Sequence, residues 1–141
     1  MEEQFNNLNK LFEVDDIKNI LDAGSGRSSL NYIVTKYPNA KIDAIVYPGD
    51  NRKILSIKEN IKGNYKLIEK DICKDVINEK YDLVLAHLLL GEATKFGNTF
   101  EDLLSKLLSI NSKYFIIYDY KEDPTINYEY LHKFIKENDF D

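Results

Sequence analysis

Short apolar runs alternate along this chain with segments of helical spacing, and that alternation constrains its fold more than any other feature. "NILDA" (19–23), "KIDAIVY" (41–47), "YKLIEK" (65–70), "YDLVLAHLLL" (81–90) and "KYFIIYDY" (113–120) are short, rich in β-branched or aromatic residues, and mostly bounded by Gly, Pro, Asn or Asp. Each reads as a strand, numbered one to five in chain order. Between them Leu30, Ile33, Val34 and Tyr37 recur at i, i+3, i+4 and i+7, and Phe100, Leu103, Leu104, Leu107 and Leu108 repeat that spacing more strongly. These predict amphipathic helices, the first opening at Ser28 or Ser29. Further helices are expected over 51–61 and 126–138, the latter with Tyr128, Leu131 and Ile135 on one face, and an N-terminal helix over 1–14 carries Leu8, Leu11 and Phe12. Strands that alternate with helices need crossover connections. The expected fold class is therefore α/β, a doubly wound and mainly parallel five-stranded sheet with helices on both faces.

Composition narrows the function classes. With 141 residues, 43% of them hydrophobic, the chain can build one core, and a single domain over 1–141 is expected. Its formal net charge of −5 repels a nucleic-acid backbone, so nucleic acid is not an expected partner. Cys73 is the one cysteine, which excludes an intrachain disulfide, and with only His87 and His132 beside it no zinc-ligand spacing exists; no metal is expected. No apolar run reaches membrane-spanning length, and the opening "MEEQFNNLNK" is acidic and polar where a signal peptide is basic and then apolar. The expectation is a cytoplasmic protein with no membrane partner.

The stretch Asp22-Ala23-Gly24-Ser25-Gly26 ends strand one just before the first helix. Glycines there let backbone approach a ligand closely, and a helix N-terminus offers free N–H groups, so something polar belongs at this turn. A triphosphate-binding loop needs a Lys after its glycines, and none follows. A dinucleotide turn asks for a third glycine where "GSGRSS" has Ser29, which weakens that reading without removing it. The acid at Asp22 suits neither phosphate class, since a carboxylate repels pyrophosphate and attracts an ammonium group. The competing structural reading is that Asp22 caps the turn while Gly24 and Gly26 supply positive φ.

With Asp22, Gly24 and Gly26 in that order, the chain resembles the class I S-adenosylmethionine-dependent methyltransferases over roughly residues 5–140. The resemblance implies a Rossmann-like methyltransferase fold of strand order 3-2-1-4-5, with S-adenosylmethionine as cofactor. The Asp22–Gly26 turn, Ser25 included, would cradle the methionine end. Asp71, in "LIEKDIC", would accept from the adenine amino group with the Ile72 N–H beside it, and Ala86 and His87 would lie against the methionine portion. Two departures stand out. Family members carry an acid at the end of strand two to hold the ribose hydroxyls; here Val46 falls at that place, leaving Tyr47, or Asp50 if the Pro48-Gly49 turn folds back, as substitutes. The family sheet also has seven strands, whereas this chain stops near where a sixth would begin, so a C-terminally shortened sheet is expected.

The resemblance makes a methyltransferase-like protein the first reading. No amine-positioning motif of the Asn-Pro-Pro-Tyr kind follows strand four, which favours a small-molecule or protein acceptor over a nucleic-acid base. In-line transfer from a sulfonium asks for alignment more than for acid–base chemistry, so no catalytic residue is assigned; Glu92, after Gly91, is a weak candidate base. Two alternatives remain. One is a non-catalytic binding or assembly module of the same fold. The other is an NADP-type dinucleotide-binding domain, because the chain's two arginines, Arg27 and Arg52, fall in the loops after strands one and two where a 2′-phosphate can be received. The uncharged interior of "KYFIIYDY" also predicts a strand edge open to pairing, hence a homodimer through strand five.

Overall fold

The computed structural model describes residues 17–87 and 99–118. The expected N-terminal helix, the end of strand four, most of the 91–99 loop with Glu92, and the 126–138 helix lie outside the described residues. The described elements are β1 (Asn19–Asp22), α1 (Arg27–Lys36), β2 (Lys41–Val46), α2 (Asn51–Asn60), β3 (Lys66–Glu69), β4 (Tyr81–His87), α3 (Phe100–Leu108) and β5 (Ser112–Tyr118). They form one five-stranded sheet of order β3-β2-β1-β4-β5. All four strand pairs are parallel. Among the described residues no helix is long and apolar enough to cross a membrane.

The central strand β1 is buried on both faces, with Ile20 and Leu21 at 0% and 1% exposure, which is why it reads as an apolar run rather than an alternation. One face packs Ile20, Ile42, Ala44, Val46, Leu83 and Leu85 against Leu30, Ile33 and Val34 of α1 and Ile57 of α2. The other packs Leu21, Ile45, Val84 and Ala86 against Leu103, Leu104 and Leu107 of α3. At the outer edge β3 is only half covered. Helices on both faces, with the short polar strand outermost, are what crossover connections of one hand produce.

Several boundaries differ from the sequence reading. The first helix begins at Arg27, not at Ser28 or Ser29, because Gly26 is its N-cap in extended conformation and Ser29 reaches backward, its Oγ accepting the Gly26 N–H at 3.3 Å. The second strand ends at Val46, since Tyr47 leaves the sheet to start a turn. The third spans Lys66–Glu69, and the Lys70 N–H still donates to the Val46 carbonyl at 3.1 Å before the Asp71 turn begins.

Two polar contacts, one buried and one nearer the surface, tie strands of the sheet together. Asp43, at 4% exposure inside β2, accepts from the Tyr81 hydroxyl at 2.8 Å across the sheet. That contact gives the acid inside the apolar run of β2 a buried partner. Burial and this carboxylate together push the Tyr81 phenol well above its ordinary value. Asp82 Oδ2 accepts both the Lys18 and Asn19 N–H groups, at 2.8 and 3.1 Å, and so fixes the entry into β1.

Candidate functional site

In a parallel sheet all strands end on the same side, so the loops after β1, β2 and β3 collect at one end beside the end of β4. They surround a cavity of about 620 Å³, in the size range of small-molecule sites. Gly24, Gly26, Tyr47, Asp71, Ile72 and His87 line it, six of the eight residues expected at the site. The other two, Asp22 and Ser25, are fully buried beneath that wall. Ala86, expected against the ligand with His87, instead packs among the residues facing α3.

The first turn is seated between its two neighbouring strands. Ala23 N–H donates to the Leu85 carbonyl of β4 and Ser25 N–H to the Ile45 carbonyl of β2, both at 2.8 Å. The chain thus leaves the sheet through the crevice where strand order reverses. Gly26 has φ −133°, extended backbone open to any residue, and a Cβ built there meets nothing within 4 Å. The described glycines at positive φ are Gly49 and Gly63, neither in this turn, so the turn does not owe its glycines to left-handed backbone. What Gly26 leaves is space at the cavity wall. Gly26→Ala should therefore cost only the modest N-cap difference, about 0.5–1 kcal/mol in chemical denaturation, while weakening ligand binding in calorimetry. A large loss of stability with unchanged binding would return Gly26 to a purely structural role.

Asp22 is an acid held in a fully buried position. Its Oδ2 accepts from the Ser29 hydroxyl at 3.0 Å, but no donor among the described residues reaches Oδ1 at hydrogen-bond geometry, although that atom is buried. Burial pushes its pKa from 3.8 up to about 6; the Ser25 and Ser29 hydroxyls, the positive charge of Lys53 and the Gly24 N–H pull it back only in part. The Ser25 hydroxyl itself lies 3.4 Å from the Asp22 carbonyl oxygen. A buried carboxylate oxygen without a donor costs free energy until a donor arrives.

After β2, the Asp50 N–H donates to the Tyr47 carbonyl at 3.2 Å across Pro48 and Gly49, with Gly49 at φ 84°. Pro and then a positive-φ Gly are the residues such a turn requires. The turn does fold back, and it brings Asp50 to the cavity along with Tyr47 and Val46. Glu69, at the end of β3, clamps it by accepting the Gly49 N–H at 3.2 Å. Asp50 also caps α2, its Oδ1 accepting from Lys53 N–H at 3.2 Å.

After β3, Asp71 sits at the head of a tight turn at 8% exposure. Its Oδ1 accepts from Cys73 N–H at 2.9 Å, its carbonyl from Lys74 and Asp75 at 3.0 and 2.8 Å, and its N–H donates to Asp75 Oδ2 at 2.7 Å. It is a turn residue and a cavity residue at once, and Oδ2 is the oxygen left for a ligand. The sequence reading missed Ser29 as the partner of Asp22, having weighed it as a helix opening and as an absent third glycine. It also missed Lys53, whose helical offset from Asp50 was the available signal.

No family model matches the chain. A ribosomal protein L11 methyltransferase of Dictyoglomus turgidum is 35% identical over 72 residues, which are 50% of this chain and 23% of that protein. Among solved structures, the StiE O-MT structure superposes with a TM-score of 0.65 at 19% identity, covering 96% of this chain and 50% of that one. The S-adenosylmethionine-dependent methyltransferase SibL in its apo form superposes at 0.54 and 19% identity, over 94% of this chain and 41% of that one. The chain has the class I S-adenosylmethionine-dependent methyltransferase fold. It spans less than a quarter of the curated relative and half or less of these two solved chains. Methyltransferase-like is thus the description the fold and the relative support, with the acceptor left open.

Proposed function

We propose that this cavity binds S-adenosylmethionine or its demethylated product, and that the chain is a methyltransferase-like domain acting on a small molecule or a protein side chain. The observation that carries the reading is the buried Asp22 with its donorless Oδ1, set under a glycine turn whose Gly26 leaves open space. Those features fit the methionine end of the cofactor, whose ammonium brings a positive charge above the buried carboxylate. Asp71 Oδ2 and the Ile72 N–H would take the adenine edge. Tyr47 and Asp50 would face the ribose, and His87 the region of the sulfonium. Asp22, one layer down, acts on the turn through Ser29 and through its charge.

When bound, the cofactor supplies a methyl group on a sulfonium, transferred by in-line displacement. The chain's own part is to align and to exclude water, with Ile45, Val46, Ile72 and Leu103 as the apolar portion of the wall. Calorimetric titration of the chain with S-adenosylmethionine, S-adenosylhomocysteine and NADP tests this. Saturable binding of the first two is expected, and binding of NADP alone would overturn the reading in favour of the dinucleotide alternative. Binding of both methionine ligands with no transfer to any acceptor would favour the non-catalytic module.

A further inference from the structure

We propose that the adenosine end of the cavity accepts an adenine nucleotide phosphorylated on its ribose, with Arg27 and Arg52 as the phosphate ligands. This rests on the ribose placement made under the proposed function but not on methyl transfer. The chain has two arginines, and both line this one cavity. They come from the first turns of α1 and α2, whose parent strands β1 and β2 are direct neighbours. Both are exposed, and neither side chain has a hydrogen bond or ion pair to another described residue. Lys53 and Lys70 add to the same wall, Lys70 donating to the Val76 carbonyl at 3.1 Å.

The charge at the wall is the opposite of the chain's. Four cations line the cavity against the carboxylates of Asp50 and Asp71, in a protein of net charge −5. S-adenosylmethionine brings a sulfonium and an ammonium against one carboxylate, so its net charge is positive and adds to this excess of cations. A ribose phosphate offsets it. The end of β2 permits it, since Val46, buried at 2% exposure, stands where an acid would bind two ribose hydroxyls and repel a phosphate. Two carboxylates stand near that end, Glu69, whose Oε1 is held by the Gly49 N–H at 3.2 Å, and Asp50. Asp50 Oδ1 is likewise held, by the α2 N-terminus, so backbone N–H groups engage both carboxylates and the guanidinium groups are left to meet an anion. Arginine suits the role because its planar fork matches phosphate oxygens two at a time.

Calorimetry on the full chain with adenosine, adenosine 2′-monophosphate, adenosine 3′-monophosphate and inorganic phosphate decides the matter, with S-adenosylhomocysteine titrated in parallel. At least one ribose phosphate is expected to bind at least about tenfold more tightly than adenosine and to be displaced by S-adenosylhomocysteine. The advantage should vanish in Arg27→Gln and Arg52→Gln, return in part in Arg27→Lys and Arg52→Lys, and shrink with added salt. These side chains are exposed, so melting temperatures should hold. No gain of either phosphate over adenosine overturns the proposal, and S-adenosylhomocysteine binding in the same experiment then leaves the cofactor reading intact. Conversely, a phosphate gain without S-adenosylhomocysteine binding supports this proposal while that reading falls. Inorganic phosphate that binds without competing with either nucleotide places the anion on a separate molecule and also overturns it.

Discussion

Asp22→Asn should make the ligand-free protein more stable at neutral pH and make it bind S-adenosylmethionine less well. The carboxylate is fully buried, one oxygen lacks a donor, and its pKa is raised from 3.8 to about 6. Because the folded value lies above the unfolded one, the folded state holds its proton more tightly, so the penalty is absent below about pH 4. It grows as pH rises toward 6 and is complete above that. Two pKa units correspond to about 3 kcal/mol, and a nearly isosteric neutral amide escapes most of it. Thermal melts of the two proteins should coincide near pH 4 and separate by pH 7, with the variant melting higher. Binding should move the other way, by about 1.5–3 kcal/mol at pH 7.5, since the amide offers no charge to an ammonium. Wild-type affinity should itself rise as pH climbs through 6, because the bound ammonium favours the ionised carboxylate. A variant that melts lower at every pH yet binds with unchanged affinity would make Asp22 a turn cap and nothing more.

That burial could not be read from the sequence, and the reason is physical. An acid at the end of an apolar run reads as the point where the chain reaches water. Here Asp22 is still paired with Leu85 of β4 and Ala44 of β2, inside the crevice. The strand itself was legible, because "NIL" could be buried on both faces only in the middle of a parallel sheet. The helices α1 and α3 were legible from their leucine and isoleucine spacing, which the packed faces reproduce. Boundaries were less so, since apolar periodicity is silent about where a cap forms. Ser29 shows this well: a serine near a helix start suggests an N-cap reaching forward, whereas this one sits in the first turn and reaches back to Gly26 and down to Asp22. The cationic wall was half visible. Both arginines stood out by position, but their meeting with Lys53 and Lys70 at one cavity depends on β1, β2 and β3 being adjacent, which is a property of topology rather than of local pattern.

The second large effect is expected at α3, through Leu104→Ala. This helix starts from a capping box in which Thr99 Oγ1 accepts from Asp102 N–H at 3.2 Å and Asp102 reaches back to the Thr99 N–H at 3.5 Å. Glu101 and Asp102 in its first turn and Lys106 in its last complement the helix dipole. Such local terms are each worth about 1 kcal/mol or less, too little to hold a nine-residue helix in water. Its docking must therefore come from Leu103, Leu104 and Leu107, exposed by 1%, 0% and 0%, against Leu21, Ile45, Val84 and Ala86. Truncating Leu104 removes buried methyl groups and leaves a cavity that close-packed neighbours refill only in part, at about 3–5 kcal/mol. For a domain of ordinary stability that is a large share of the total. Leu55, 58% exposed on α2, supplies the control, and Leu55→Ala should stay within about 0.5 kcal/mol. Because Leu103, the neighbour of Leu104, forms part of the cavity wall, Leu104→Ala should also weaken ligand binding at temperatures where the variant remains folded. Urea titration with the slope unchanged and the midpoint lowered is the expected signature. A loss below about 1 kcal/mol would mean that α3 does not bear on the sheet, and the wall that Leu103 gives the cavity would go with it.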